Sequence, residues 1–456
     1  MSDIKMSIGD KITLGLLVSM SFFLMCDLYI TPGIVTELAA EYHVAESNIG
    51  YVGSAFVLIG AIISIFFGYM ADKASRKRLL VATVLIGEIP CFMTGLPFFT
   101  PDLKSFFILR ILTGIGVGGI YPLTFSLISD YFSARHRAFA SATIDIAWGL
   151  GMMAGPMLAA FAVSTGYGWR LAYILAALPN LPIALIFIFV ARDPERGRTE
   201  DALEALIQDG LAYSQKIKLS DFKIIFKTRT NLLLFLQGIP GCIPWGILPF
   251  WIITFMETQR GFTKIQATTI WELFGIGTVT GGILWAILGD KLFNKKPSYL
   301  PMVCTAGVFI GTIMMFGLLN IPISPQTLTG LWAIGFFTMA FMTGIFISVP
   351  SSNNKAILMN INRPEHRGSV FAVFNITDNI GKGIGPALGG ILLSSGYTFT
   401  FMMNFAISWW ILCAAIFSLI IFTITSDRQR LLDHLDIKAK EMSKGTMSGK
   451  ENPTMA

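Results

Sequence analysis

The side chains best placed to do chemistry in this chain are ionisable residues inside long apolar runs: Asp27, Arg110, Glu272, Asp378 and Lys382, with Glu88 and Asp145 as weaker candidates. A charge in hydrocarbon costs several kcal/mol unless paired or hydrated, so such residues mark ion, proton or substrate paths. At a rise of about 1.5 Å per residue, Asp27 and Arg110 both fall in the outer third of their runs. A pair there suits binding of a substrate charge or passage of a proton, and Glu272 lies at a similar depth. Asp378 and Lys382 are four apart and share one helix face, which fits either an internal ion pair or a site. The run Gln237-Gly-Ile-Pro240-Gly241-Cys-Ile-Pro244-Trp245-Gly246 crowds helix breakers into an apolar segment. Such breakers are tolerated where backbone lines a cavity. Gln237 and Trp245 are its candidate substrate contacts, with flexing of a gate helix as the structural alternative. The four histidines, His43, His136, His366 and His434, stand in loops or tails, and no Walker A sequence is present. No enzyme, metal or cofactor site is expected.

Membrane-crossing helices must position these residues. The chain is 54% hydrophobic and 14% charged, with mean hydropathy +0.65, whereas soluble domains carry about a quarter charged residues. Twelve apolar runs approach the roughly 20 residues a span needs: 12–34, 49–70, 79–99, 105–129, 139–163, 171–190, 232–255, 265–288, 299–319, 328–349, 369–393 and 399–424. The predicted fold class is an all-α membrane protein, with twelve transmembrane helices in two pseudo-symmetric six-helix bundles. Residues 1–191 form the first bundle. Residues 192–230 form a cytoplasmic linker with an amphipathic helix from about Asp201 to Gly210. Residues 231–425 form the second bundle, and 426–456 a charged cytoplasmic tail expected to fray. The first run ends in no small-residue cleavage site and reads as a retained span. Lys104, Arg170, Arg260 and Lys264 alone occupy loops of one side. The positive-inside bias then puts both termini in the cytoplasm of an inner (plasma) membrane protein, and the net charge of +6 needs no nucleic acid. The five cysteines are scattered without ligand or disulfide spacing and read as small core residues.

The halves repeat. Residues 136–160 and 366–390 align without a gap, sharing His-Arg, Gly151 with Gly381, Gly155-Pro156 with Gly385-Pro386, and a following Leu. Asp72-Lys73 and Asp290-Lys291 echo each other after spans two and eight. Duplicated halves about an axis along the membrane normal can expose one central site to either side in turn. The loop Gly68-Tyr-Met-Ala-Asp72-Lys73-Ala-Ser75-Arg76-Lys77-Arg78 resembles the signature of the major facilitator superfamily. That resemblance implies a cytoplasmic latch in which Gly68 admits a neighbouring helix and Asp72 and Arg76 work with Asp130 and Arg137. Asp290 and Arg367 are the second-half counterparts. Arg110-Ile-Leu-Thr-Gly114-Ile-Gly116-Val-Gly118 resembles a second motif of that superfamily. With Gly119 it also spells a dinucleotide-binding pattern, which is spurious inside a membrane span without a preceding strand. The Gly-x-x-x-Gly-Pro of spans five and eleven resembles a pattern of antiporters, and close helix packing explains it equally.

Asp72-Lys-x-Ser75-Arg-Lys, the end of span six at Arg192-Asp-Pro-Glu-Arg-Gly197, and an Asp in span one resemble the Spinster branch of lipid transporters. Leu28 and Val117 stand where that branch carries Arg and Glu, so Asp27 with Arg110 would have to take over proton coupling. The resemblance implies a proton-coupled secondary transporter that moves a small or amphipathic organic solute, with lysophospholipid the first candidate; a monomer is expected. A drug or organic-anion exporter or antiporter is the alternative, favoured by the Gly-Pro motif, Arg110 and Lys382. A non-transporting sensor is the reading from another class. From the charge bias, cysteines introduced at Lys104 and Gln326 should react with an impermeant maleimide in intact cells. Cysteines at Lys77 and Lys296 should react only after permeabilisation, and the reverse pattern would invert the topology.

Overall fold

The computed structural model describes residues 8–71, 74–132, 134–191, 225–362 and 367–448. Among these, twelve long helical segments follow one another where the twelve spans were predicted, because hydrocarbon leaves backbone N–H and C=O groups no partner outside the helix. Span one is Ile8–Ile30, continued by a 3-10 turn Thr31–Ile34 at Pro32 and a short helix Val35–Glu41. Spans two to six are Glu46–Ala71, Arg76–Thr94, Leu103–Tyr131, Ala134–Ser164 and Arg170–Val190. Spans seven to nine are Arg229–Arg260, Lys264–Lys295 and Tyr299–Asn320. Span ten breaks at Ser348 into Gly330–Ile347 and Val349–Ile361, and spans eleven and twelve are Arg367–Ser394 and Phe399–Ser448. Ten of the twelve are long and apolar enough to be read as membrane spans by composition alone. The other two are span three, with Glu88, and span eleven, with Asp378 and Lys382, whose polar residues lower their hydropathy.

One expectation changes, at the tail, and two further elements bear on the spans. Span seven remains one unbroken helix despite Pro240, Pro244 and Pro249. The tail expected to fray continues span twelve as helix to Ser448. The helix expected at Asp201–Gly210 lies outside the described residues, and the linker is described only from Ile225, which packs in the second-half core. Polar ends are capped locally. Ser75 Oγ accepts from Arg78 N at 3.2 Å, and Thr263 with Gln266 forms a capping box at span eight. Asp102 accepts from Ser105 N at 2.8 Å, and that bond holds its carboxylate below the ordinary range.

Lipid tails are as apolar as leucine, so helices associate here through close packing, and small residues decide where. The repeated motif packs alike in both halves. Gly151 and Gly155 of span five lie against the backbone of Phe22, Cys26 and Tyr29 in span one; Gly381 and Gly385 of span eleven lie against Ile239 and Gly246 in span seven. Pro386 offers no N–H to the Lys382 carbonyl, and Gly246 sits directly on that carbonyl. In span four, Gly114 and Gly118 meet Phe56 and Gly60 of span two, while Gly116 meets Gly87 of span three. Gly68 departs from expectation: among the described residues, a methyl there would find only Pro122 Cβ at 3.9 Å. Packing does not require its small size.

The halves close against each other on one face. Lys264 Nζ, 8% exposed, meets Glu257 at 2.9 Å, Glu37 at 3.0 Å and the Gly33 carbonyl at 2.9 Å, tying span eight to the end of span one. Nearby, Ala387 N donates to Ser54 Oγ at 2.7 Å, and Gly50 and Gly390 fit against Pro386 and Ser47. Toward the other face Tyr121, Asp145, Asn375 and Lys382 are exposed, so the interior opens there. Gly116→Val would drive a side chain into the span-three backbone at Gly87 and Thr83. Overpacking of this kind costs about 1–3 kcal/mol, and the thermal-unfolding midpoint of the purified protein should fall; an unchanged midpoint would refute this packing account.

Candidate functional site

Lys382 is an exposed cation in mid-span. It stands on span eleven, within electrostatic reach of Tyr29 and Tyr121 from the first half. Asp378 shares its helix face, beside the Cys242 thiol, but the two make no ion pair within 4.0 Å. Of the two readings their spacing allowed, the internal ion pair is not formed, and the ammonium is exposed. Tyr121 packs on Trp148 with ring centroids 5.2 Å apart and reaches Asn375 across the seam. Lys355, on the second helix of span ten, and Asp145, on span five, add one exposed charge of each sign from opposite halves. Glu272 is 7% exposed on span eight, with Oε1 lacking a hydrogen-bond partner and, among the described residues, no ion pair within 4.0 Å. It borders Gly275, which faces Met153 of span five across the seam between the halves.

A second polar centre is sealed inside the first half. Arg110 Nη1 meets Asp27 Oδ1 at 2.7 Å, with both residues 1% exposed. Arg110 Nη2 donates to Thr94 at 2.9 Å and Thr113 at 3.2 Å, and the guanidinium lies 4.5 Å from the Tyr173 ring centroid. Tyr173 is held in turn by Thr31 at 2.8 Å. The expected pairing of Asp27 and Arg110 is present, but not on the wall of the open interior. Glu88, a weak candidate in the sequence, is fully buried within electrostatic reach of Asp27, and Asn180 Nδ2 donates to its Oε1 at 2.6 Å.

Other candidates serve packing. Gln237 is buried and accepts from the Cys413 thiol at 3.3 Å, which turns it toward span twelve. Trp245 packs on Phe274 at 5.8 Å and Trp410 at 6.0 Å as part of an aromatic core. Arg76 donates to the carbonyls of Ala71 and Ser126, and Lys77 to that of Ala191, so the basic loop satisfies helix C-termini. Asp72 lies outside the described residues, as do the side chains of Asp130, Arg137, Asp290 and Arg367. A groove of about 420 Å³ lined by Asn48, Tyr51, Leu103 and Phe107 sits near the closed face, away from the interior charges. Sequence reading missed Asn180, Tyr173, Tyr29 and Tyr121. The only local signal was Asn180 between Pro179 and Pro182 in an otherwise apolar run.

Removing one member of a buried pair strands the other, at about 3–5 kcal/mol. Arg110→Met should therefore lower the thermal-unfolding midpoint substantially, and adding Asp27→Asn should recover part of the loss. Equal stability of the single variant and the wild type would show that the pair does not hold the bundle together.

Comparison with known proteins agrees with the geometry. The Major Facilitator Superfamily profile matches residues 17–340 and, overlapping them, 273–436. The cis,cis-muconate transport protein of Acinetobacter baylyi is 25% identical over 378 residues, covering 81% of this chain and 84% of that protein. Protein spinster homolog 1 of Xenopus tropicalis is 22% identical over 392 residues, covering 79% and 72%. The expected likeness to the Spinster branch is thus met in sequence. In structure, a bacterial homologue of the human lysosomal transporter Spinster, inward-facing and unoccupied, superposes with a TM-score of 0.77 at 18% identity, covering 92% of this chain and 99% of that one. Matched along both halves by that profile and built as two packed six-helix bundles, the chain belongs to the major facilitator superfamily.

Proposed function

We propose that this protein is a proton-coupled secondary transporter of a small organic anion, working by alternating access, with Lys382 as the charge that recognises the solute. The observation that carries the reading is an exposed ammonium in mid-span that Asp378 does not neutralise within 4.0 Å. A cation in that position is costly unless water or a substrate anion faces it. Tyr29 and Tyr121 bring phenol groups of the first half near the same ammonium, so a bound carboxylate would contact both halves. The muconate transport protein, by its name, handles a dicarboxylate, which supports this class of solute. The coupling site is the buried polar cluster around Asp27, Arg110 and Glu88 in the first half. With the basic loops inside, the Lys264 face is extracellular and the interior opens to the cytoplasm of a plasma-membrane protein.

A second reading, an amphipathic lipid-like solute such as lysophospholipid, draws on the likeness to the spinster proteins in sequence and fold. Uptake into proteoliposomes of labelled muconate and of labelled lysophospholipid, with and without an imposed pH gradient, separates the two. The anion reading expects gradient-driven muconate accumulation. In Lys382→Gln the KM should rise at least tenfold, since loss of one charged contact costs about 1.5–3 kcal/mol. Lysophospholipid uptake indifferent to Lys382→Gln, without muconate uptake, would favour the second reading.

A further inference from the structure

Among the described residues, Asp27 and Glu88 share their enclosure with a single cation, Arg110. Asp27 takes the direct bond from Arg110 at 2.7 Å, while Glu88 has no ion pair within 4.0 Å and accepts instead from the Asn180 amide at 2.6 Å. Two atoms of this second pair are buried without any partner: Glu88 Oε2 and Asn180 Oδ1. Both residues are fully buried. An ionised carboxylate has no hydrogen to give an amide oxygen, so two acceptors would be stranded among fully buried side chains, each at about 1–3 kcal/mol. A neutral carboxylic acid has both functions. Its carbonyl oxygen accepts from the amide N–H and its hydroxyl can donate to an amide oxygen, the complement that the two orphaned atoms lack. Charge points the same way, because two carboxylates beside one guanidinium cannot both ionise cheaply.

Resting on the transport reading above, we propose that Glu88 is the proton-binding residue of the transport cycle, held as the neutral acid against Asn180 while Asp27 stays ionised on Arg110. With the proton in place the centre is neutral, one anion against one cation. Its release to one side and uptake from the other change the charge of the first half by one unit per cycle. The other titratable groups facing the centre are the thiols of Cys26 on span one and Cys91 on span three, and the phenol of Tyr173 on span six. Cys91 donates to the Tyr173 carbonyl at 3.7 Å and Tyr173 bonds Thr31. Arg110 on span four supplies the cation and Asn180 on span six the amide. Span three is not a lining helix of the open interior, so the proton site and the Lys382 site are separate. Motion of the first half against the second is what couples them.

The test uses the full-length protein. Infrared difference spectra of wild type against Glu88→Gln should lose one protonated-carboxyl carbonyl band, and Asn180→Leu should shift that band upward. Reconstituted Glu88→Gln should retain muconate counterflow but lose accumulation driven by the pH gradient, and Glu88→Asp should recover part of it. A band set unchanged by Glu88→Gln, or gradient-driven accumulation equal to wild type, overturns the proposal. So does loss of the same band in Asp27→Asn alone, which would place the proton on Asp27. The spectra require no substrate, so absence of muconate transport by the wild type would refute the solute reading without touching the assignment of the proton.

Discussion

Everything in this protein is constrained by a solvent that offers no hydrogen bonds and little screening. In hydrocarbon the backbone must satisfy itself, which compels helices. Once formed, those helices gain nothing from burying apolar surface and depend on how closely they can approach. Small residues set that distance. Gly151 and Gly155 seat span five on span one, Gly381 and Gly385 seat span eleven on span seven, and the span-four glycines bring spans two and three in. The repeated motif is therefore a packing device before it is anything else. Its presence in both halves gives each bundle the same seam, and two like bundles meeting at a pseudo-symmetric interface can rock without repacking internally.

The same solvent sorts the charges into two kinds. Arg110 and Asp27 are enclosed and directly paired, the guanidinium braced by Thr94, Thr113 and the Tyr173 ring, while Asp27 Oδ2 and Arg110 Nε have no hydrogen-bond partner among the described residues. A group held so firmly is suited to keeping a fixed charge in place. Lys382 is of the other kind: exposed, unpaired at short range, and facing the opposite half. A side chain in that state is free to exchange water for a ligand. In the proposed cycle a proton centre inside one bundle lies apart from a solute centre between bundles, so neither ligand would touch the other. Coupling must then be carried by the seam itself, in the sense of two ligands biasing one two-state element.

The closed face illustrates how such an element is held. Lys264 belongs to the second half but is buried against Glu37 and the Gly33 carbonyl of the first, with Glu257 beside it. Span one turns through Pro32 at this point, which presents the Gly33 carbonyl sideways instead of along a helix axis. At the opposite end the basic residues after span two serve their own half, Arg76 and Lys77 bonding carbonyls of Ala71, Ser126 and Ala191. Among the described residues, one end is tied across the seam by Lys264, and the bonds described for Arg76 and Lys77 at the other run within the first half.

Length and composition by themselves determined the solvent, the number of spans and their order, because a run of about 20 apolar residues has few other fates. The duplication was also legible, since a motif repeated with its flanks survives as a string of letters. Which charges meet was not. Asp27 and Arg110 could be paired on depth alone, but the four-residue spacing of Asp378 and Lys382 suggested a pair that the side chains do not make. Glu88 looked peripheral until span six brought Asn180 to it from 92 positions away. Gln237 and Trp245 turned into the packing of the second half. Periodicity gives a helix its faces but not their azimuth in the bundle, and in a membrane most faces are apolar, so pattern alone carries little information about which one looks inward. Rotation of each helix is decided by which small residues touch which backbone, and that becomes visible only when all the helices are assembled.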